Sequence, residues 1–217
     1  MDNIINLGIP HVGEQIFESI DSSELLQYRW VSESWKILSE KLLFKRWQGR
    51  LIEAVKRSKI EIVAFLLGRL ESEEINEDDC FGFGKTAFMY ACKNGQMDIV
   101  KLFLEHSNKK NIELNAQNVH GMTGVMYACK KGHTDIVKLI LDSSAKIEWN
   151  ASNISGKTAL FIACDFGHFD IVRLLINHSK SIRIDLNTED YSGLTPLQAA
   201  HNKGHNNIVE LFLAHSK

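Results

Sequence analysis

The sequence has little of several features that mark particular classes of protein. Only two prolines occur in 217 residues, well below the roughly 5% average, which favours a largely helical chain. The longest apolar runs span six residues, as in Ile62 to Leu67, whereas a membrane-spanning helix needs about 20. The opening, MDNIINLGIP, has neither a basic segment nor an apolar core. We therefore expect no membrane span and no secretory signal.

An excess of charge of one sign is also absent. Lysine and arginine number 25 against 27 aspartates and glutamates, a formal charge of −2. Residues 1–50 hold six basic and seven acidic side chains, so neither part of the chain is a basic arm that would bind nucleic acid. With 44% apolar and 24% charged residues, the composition is that of a globular protein and not of a disordered one.

Motifs that carry catalysis are missing as well. The sequence contains no phosphate-binding loop, no HExxH and no GxSxG, so we predict no catalytic residues, no metal site and no cofactor. The four cysteines form no CxxC pair, which together with the missing signal predicts a reduced, intracellular protein.

What the chain does contain is an internal repeat. A Thr lies two residues after the first Gly of each copy, and an Ala lies five residues after that Thr. A second Gly follows four residues later, and an Ile-Val pair four after that. A degenerate copy precedes the others, with Ala54 and Ile62-Val63 in the same positions. The four full copies are 37, 35 and 37 residues apart and begin at Gly84, Gly121, Gly156 and Gly193.

Each repeated position predicts a structural role. The Thr hydroxyl can cap a helix N-terminus, and the second Gly suits a left-handed C-cap. The D-I-V-x-L-x-L run that follows has the period of a second helix with one buried face. We expect the residues after this helix, as in EHSNKKNIEL and NHSKSIRIDL, to form long, solvated loops.

This pattern resembles the ankyrin repeat, over about residues 49–217. The resemblance implies an all-α solenoid of about five helix-turn-helix repeats, the first degenerate, each preceded by a β-turn finger. The T-P-L-H-x-A signature of the family survives only at residues 195–200, as TPLQAA. In the three earlier copies Ala87, Gly124 and Ala159 stand where the family has Pro.

Residues 1–48 lack this repeat and predict a separate helical module. Apolar spacing places three short helices at about residues 11–20, 23–31 and 33–47. A segment of this size is too short to form a robust core alone. We therefore expect several of its apolar side chains to need a partner surface.

The order of motifs in residues 7–47 resembles the F-box. It has a Pro after an apolar residue, an apolar helix, an acidic turn with Leu-Leu, and then VSESWK. Ile9 stands where Leu is usual, and Gly13 falls within the first helix. The resemblance implies docking on the Skp-type adaptor of a cullin–RING ubiquitin ligase. The residues it would place against that adaptor are Pro10, Ile16, Phe17, Leu25, Leu26, Val31 and Trp35. In the alternative interpretation, the module only caps the solenoid.

The ankyrin resemblance also indicates where an unknown client protein would bind, since partners of this family usually contact the finger tips and the exposed ends of the first helices. Apolar residues at the tips either recognise a client or pack against the next finger. Lysines at the helix ends either select acidic side chains or are merely solvated. The predicted client-binding residues are Phe83, Lys85, Val119, His120, Met122, Lys130, Lys131, Ile154, Lys157, Phe166, Tyr191 and Leu194.

Three further sets of repeated residues are of types that can bind metals or take part in catalysis, but their positions in the repeat favour structural roles. The cysteines that follow the repeat Ala predict a column of small buried side chains. The histidines after the second Gly have an architectural role in the ankyrin family, and the asparagines before each finger predict turn hydrogen bonds. The sets are Cys92, Cys129 and Cys164; His133, His168 and His205; and Asn115, Asn150 and Asn187.

Overall fold

The computed structural model describes residues 21–22, 51–68, 86–107 and 112–215. Within these ranges the regular secondary structure is α-helical, with ten helices whose bounds are given and no β-strand. The chain divides into two compact units, residues 1–76 and residues 77–217. The predicted all-α class is confirmed for the part of the chain that the structure describes.

In the first unit, α1 (Leu51–Lys56) and α2 (Ile60–Gly68) pack against each other. The chain turns between them at Ser58, whose φ of 52° is left-handed. Ala54, Ile62 and Val63 are buried, as expected for a degenerate helix pair.

The described part of the second unit contains four helix pairs that pack in two layers. In the first layer α3 packs on α5, α5 on α7 and α7 on α9, and in the second layer α4, α6, α8 and α10 pack in the same order. The members of each pair also contact each other. The helices are α3 (Ala87–Asn94), α4 (Met97–Ser107), α5 (Gly124–Lys131), α6 (Thr134–Leu141), α7 (Ala159–Asp165), α8 (Phe169–Ile182), α9 (Pro196–Asn202) and α10 (Asn206–His215).

Every first-layer helix begins at the repeated threonine. The Thr123 hydroxyl accepts a hydrogen bond from the backbone N–H of Met126 at 3.2 Å, and Thr86, Thr158 and Thr195 make the equivalent bond. This contact satisfies one of the N–H groups that lack a partner inside the helix. At α9 the Gln198 side chain also accepts from the Thr195 N–H at 2.9 Å, which completes a capping box. The predicted caps are confirmed.

The second glycine of each copy lies at the end of the first-layer helix. It is the C-cap of α3 and α5, as predicted, whereas α7 and α9 have Phe166 and Lys203 as C-caps and the glycine follows them. Gly95, Gly132, Gly167 and Gly204 have φ values of 73°, 74°, 75° and 77°. Only glycine adopts this left-handed conformation without a steric penalty from Cβ. It lets the chain reverse direction and start the second-layer helix within a few residues.

Two columns of small side chains are buried along the first-layer helices. The repeated alanines and the three cysteines that follow the first three of them are buried completely. Because alanine and cysteine are short, neighbouring helices can approach closely at these positions. The buried columns are Ala91, Ala128, Ala163 and Ala200, and Cys92, Cys129 and Cys164.

One expectation about the connections is wrong. The stretch NHSKSIRIDL was expected to be a solvated loop, but α8 continues through it to Ile182. The helix ends with Arg183 in a left-handed conformation, and the N–H of Ile184 donates to the Ser179 carbonyl at 2.9 Å. Ile184 is buried, so apolar burial holds this extra turn in place. In the other stretch, residues 105–107 also belong to a helix, and residues 108–111 lie outside the described residues.

Candidate protein-interaction surface

Three turns precede α5, α7 and α9, and each is closed by one side chain. In the first, Asn118 Oδ1 accepts from the backbone N–H groups of His120 and Met122 at 2.9 and 3.0 Å. Asn153 and Asp190 accept equivalent bonds in the next two turns. Such bonds stabilise a tight turn without strand pairing. These three residues were not among the predicted site residues, although each lies three positions before the first Gly of its copy.

Adjacent turns are joined by backbone hydrogen bonds. The N–H of Ile154 donates to the His120 carbonyl at 3.1 Å, and the N–H of Tyr191 donates to the Ser155 carbonyl at 3.1 Å. Gly121 and Gly156 make this approach possible, because a Cβ on Gly121 would lie 2.8 Å from the Asn153 Cα and one on Gly156 would lie 2.8 Å from the Tyr191 backbone nitrogen. The three turns therefore form a continuous edge.

Apolar side chains project from this edge into solvent. Val119 is 60% exposed, Ile154 is 62% exposed and Tyr191 is 78% exposed. We name these three residues the tip ladder. Three neighbouring apolar side chains in this position are unusual, because turns are normally polar.

The other turn residues predicted to bind a client lie in different environments. His120 is exposed and Leu194 is half-buried. Met122 is only 7% exposed, which corrects the expectation that it belongs to the exposed set. The reason is the following finger, whose Asn153 Nδ2 lies 3.6 Å from the Met122 sulfur. Phe83 and Lys85 lie outside the described residues.

At the C-terminal ends of the first-layer helices, lysines lie over aromatic rings of the next repeat. Lys130 Nζ is 5.4 Å from the centroid of the Phe166 ring, and Lys93 Nζ is 6.0 Å from that of Tyr127. Phe166 is 49% exposed and stacks on His168. Lys131, the next residue after Lys130, is exposed. Lys130 and Phe166 were both predicted to bind a client, and the structure brings them together.

A second charged group connects a finger to a helix end. Lys157 Nζ lies 2.9 Å from Asp165 Oδ2 and 4.8 Å from the centroid of the Phe161 ring. Lys203, one repeat further on, lies 4.0 Å from the same carboxylate. Asp165 and Lys203 were not among the predicted site residues. Their partnership brings finger and helix ends onto one surface, which we name the finger face.

The repeated histidines hold successive repeats together. His133 Nε2 lies 3.1 Å from the Lys93 carbonyl, and His168 Nε2 lies 3.2 Å from the Lys130 carbonyl. Each ring also packs on the C-cap glycine of the preceding repeat. These contacts account for both histidines without a chemical role.

The repeated asparagines do more than stabilise a local turn. Asn115 Nδ2 donates to the Lys146 carbonyl at 2.8 Å, and its Oδ1 accepts from the Glu148 N–H at 2.9 Å. Asn150 bonds Arg183 and Asp185 in the same way. The expectation of turn hydrogen bonds is thus corrected for Asn115 and Asn150, whose side chains cross to the following repeat.

The cysteine column is chemically inert. Burial raises the pKa of Cys129 to about 12 and also raises the pKa of Cys92 and of Cys164. The nucleophilic thiolate is therefore not populated near neutral pH. Within the described ranges, no group of three His, Cys, Asp or Glu side chains could hold a metal ion.

The predicted adaptor-binding residues cannot be placed on any surface described above. Pro10, Ile16, Phe17, Leu25, Leu26, Val31 and Trp35 all lie outside the described residues.

Comparisons with known proteins agree with this architecture. A family model for ankyrin repeats (3 copies) matches residues 51–153 and 147–217, which is more than half of the chain. No curated protein matches the sequence. No helix in the described ranges is long and apolar enough to cross a membrane. The chain belongs to the ankyrin-repeat family, whose generally non-catalytic repeats are protein–protein interaction modules that bind a client protein.

Proposed function

We propose that the chain is a substrate receptor of a cullin–RING ubiquitin ligase. Residues 1–48 form the F-box-like module that binds the Skp-type adaptor, and residues 49–217 hold the client on the finger face. Other subunits carry out ubiquitin transfer. The receptor contributes proximity, because it raises the effective concentration of client near the transferring enzyme.

The tip ladder is the observation that supports the client-binding half of this proposal. Exposed apolar side chains at neighbouring positions resemble the apolar anchors of protein interfaces more than a solvated turn. The F-box-like sequence of residues 7–47, directly before the repeats, supports the adaptor-binding half.

Association with the adaptor tests the proposal. Purified full-length chain and Skp-type adaptor should co-elute in size-exclusion chromatography at micromolar concentration. Trp35→Ala and Leu25→Asp should each abolish co-elution, because both replace an apolar side chain assigned to the contact. The exposed-tip variant Ile154→Ser is the matched control and should co-elute like the original chain. Absence of co-elution by the unmodified chain would refute the receptor function.

The second candidate is a free-standing ankyrin scaffold whose first 48 residues only cap the repeats. The division of the chain after Asn76 favours it, since this division groups α1 and α2 with the N-terminal residues. Under this function, Leu25→Asp and Trp35→Ala lower the melting temperature of the chain. Under the receptor function, they abolish adaptor binding and leave the helical circular-dichroism signal of the repeats intact.

A further inference from the structure

We propose that the finger face binds an acidic peptide segment that carries apolar side chains. This inference rests on the proposed client-binding role of the finger face, and not on the adaptor. It goes further by naming the chemistry of the client.

Charge on the two helix layers is distributed unequally. The first-layer helices and their C-caps carry lysines, and Asp165 is their single acidic residue. The second-layer helices carry acidic and basic side chains together, with Asp98, Asp135 and Asp170 near their N-termini. The first-layer helices and their C-caps thus carry a net positive charge, although the whole chain has a net charge of −2. The first-layer lysines are Lys93, Lys130, Lys131 and Lys203.

Lys93 and Lys130 are the two cations best placed for a partner. Neither has a carboxylate partner among the residues that the structure describes, whereas Asp165 already neutralises Lys157. The rings of Tyr127 and Phe166 hold their ammonium groups in place. A cation–aromatic contact at an exposed site contributes about 0.5–1 kcal/mol, so less conformational entropy remains to be lost when an anion binds.

The apolar side chains decide which kind of anion fits. The 49% exposed ring of Phe166 lies against Lys130. The tip ladder belongs to the turns, and the Lys157–Asp165 ion pair connects one of these turns to a helix end. A nucleic-acid surface would need a denser positive field than a few lysines, and it gains little from aliphatic tips. A peptide in which acidic residues alternate with Leu, Ile or Phe satisfies both features, since its carboxylates contact the lysines and its apolar side chains contact the tips.

Selection from a peptide library tests the inference. The full chain is immobilised and exposed to a displayed library of random 12-residue peptides in low salt. Enriched sequences should be net negative and contain Leu, Ile, Phe or Tyr. Enrichment of neutral or basic sequences, or of no sequence, would overturn the inference.

The strongest selected peptide is then labelled and measured by fluorescence anisotropy. Lys93→Glu/Lys130→Glu should weaken its affinity by about tenfold or more, as expected for reversal of two contacting charges. Lys101→Glu/Lys138→Glu makes the same charge change on the second layer and should alter the affinity by less than about twofold. Equal losses in the two variants would show that only net charge matters, and would contradict a specific acidic site.

Two comparisons separate this inference from its alternatives. In a competition experiment, single-stranded DNA and unlabelled peptide are each added to the labelled complex. If DNA displaces the labelled peptide at a lower concentration than unlabelled peptide does, the finger face binds nucleic acid and the inference is overturned. Adaptor co-elution is measured on the same preparations. If the chain co-elutes with the adaptor but binds no acidic peptide, only the inference about client chemistry is refuted. If it binds the peptide but does not co-elute, the receptor function is refuted and the chain is an acidic-peptide-binding scaffold.

Discussion

The imidazole of His168 lies directly against Gly132 of the preceding repeat. A Cβ built on Gly132 would be 2.7 Å from His168 Cε1, and the ring is fixed by its 3.2 Å contact to the Lys130 carbonyl. Gly204 has a similar left-handed φ, 77° against 74°, yet a Cβ there would meet no described atom within 4 Å. Two glycines with one backbone conformation thus differ only in their neighbours.

Alanine at these two positions should separate backbone strain from contact between repeats. Gly204→Ala should lower the free energy of unfolding by about 1 kcal/mol, the cost of a left-handed non-glycine residue. Gly132→Ala should cost about 2–4 kcal/mol, because overpacking against the imidazole adds to that strain. Urea unfolding followed by circular dichroism measures both.

The double variant Gly132→Ala/His168→Ala tests why Gly132→Ala should destabilise the chain more than Gly204→Ala does. In the His168→Ala background, the cost of Gly132→Ala should fall to that of Gly204→Ala. If both glycine positions cost the same in the original chain, the contact with His168 has no energetic role.

The asparagines that cross between repeats should stabilise the solenoid. Asn150→Ala removes hydrogen bonds to Arg183 and Asp185 and should lower the free energy of unfolding by about 1–2 kcal/mol. Asn187 lies at the same repeat position, but its side chain makes no hydrogen bond to a described residue, so Asn187→Ala should cost less than about 0.5 kcal/mol. Chemical denaturation compares them, and equal effects would contradict the role assigned to the crossing bonds.

The buried thiols should make the stability of the chain depend on alkaline pH. In the folded chain the pKa of Cys129 is raised to about 12, against 9.0 for an unperturbed thiol. Above pH 9.0 the unfolded state therefore loses this proton first, and the stabilisation from the neutral thiol declines as pH rises towards about 12.

A variant without the Cys129 thiol isolates its contribution to the pH dependence of stability. Cys80 lies outside the described residues, so the measurement uses a Cys80→Ser background. The stability difference between this chain and its Cys129→Ala variant should shift by about 2 kcal/mol against the cysteine form between pH about 7.5 and about 10.5. Urea unfolding across this range measures it, and a constant difference would mean that the thiol ionises equally in both states.

The tip ladder should be dispensable for folding. Val119→Ser/Ile154→Ser/Tyr191→Ser changes three side chains that are at least 60% exposed, so the melting temperature should fall by only a few degrees. Met122→Ser is the contrasting variant, because Met122 is buried beneath the next finger, and it should cost about 2 kcal/mol or more. Differential scanning calorimetry distinguishes them. A large loss in the triple variant would show that the tips are packing residues.

The same triple variant should lose affinity for the selected acidic peptide. The apolar tips supply the contacts that do not depend on charge. Anisotropy in high salt, where the lysines contribute least, is the most sensitive comparison. Unchanged affinity in high salt would show that the peptide does not contact the tip ladder.

The sequence by itself determined the features whose causes lie within a few residues. Local backbone geometry predicts the threonine that caps the N–H three residues later and the glycine at the helix end. Helical periodicity predicts the small buried residues such as Ala128 and Cys129. The threonine, the glycine and the alanine recur in the four full copies, so the repeat alone displays them. Even the degenerate pair at Ala54 and Ile62 could be recognised in this way.

Only the tertiary structure decided what happens between copies. The burial of Met122, the bonds of Asn150 to the next repeat, and the contact of Asp165 with Lys203 depend on how one repeat rotates onto the next. That rotation is fixed by packing across about 35 residues of sequence, a separation over which periodicity carries no information about side-chain direction. The end of α8 also makes a contact between copies, because the Arg183 carbonyl accepts a hydrogen bond from Asn150 Nδ2.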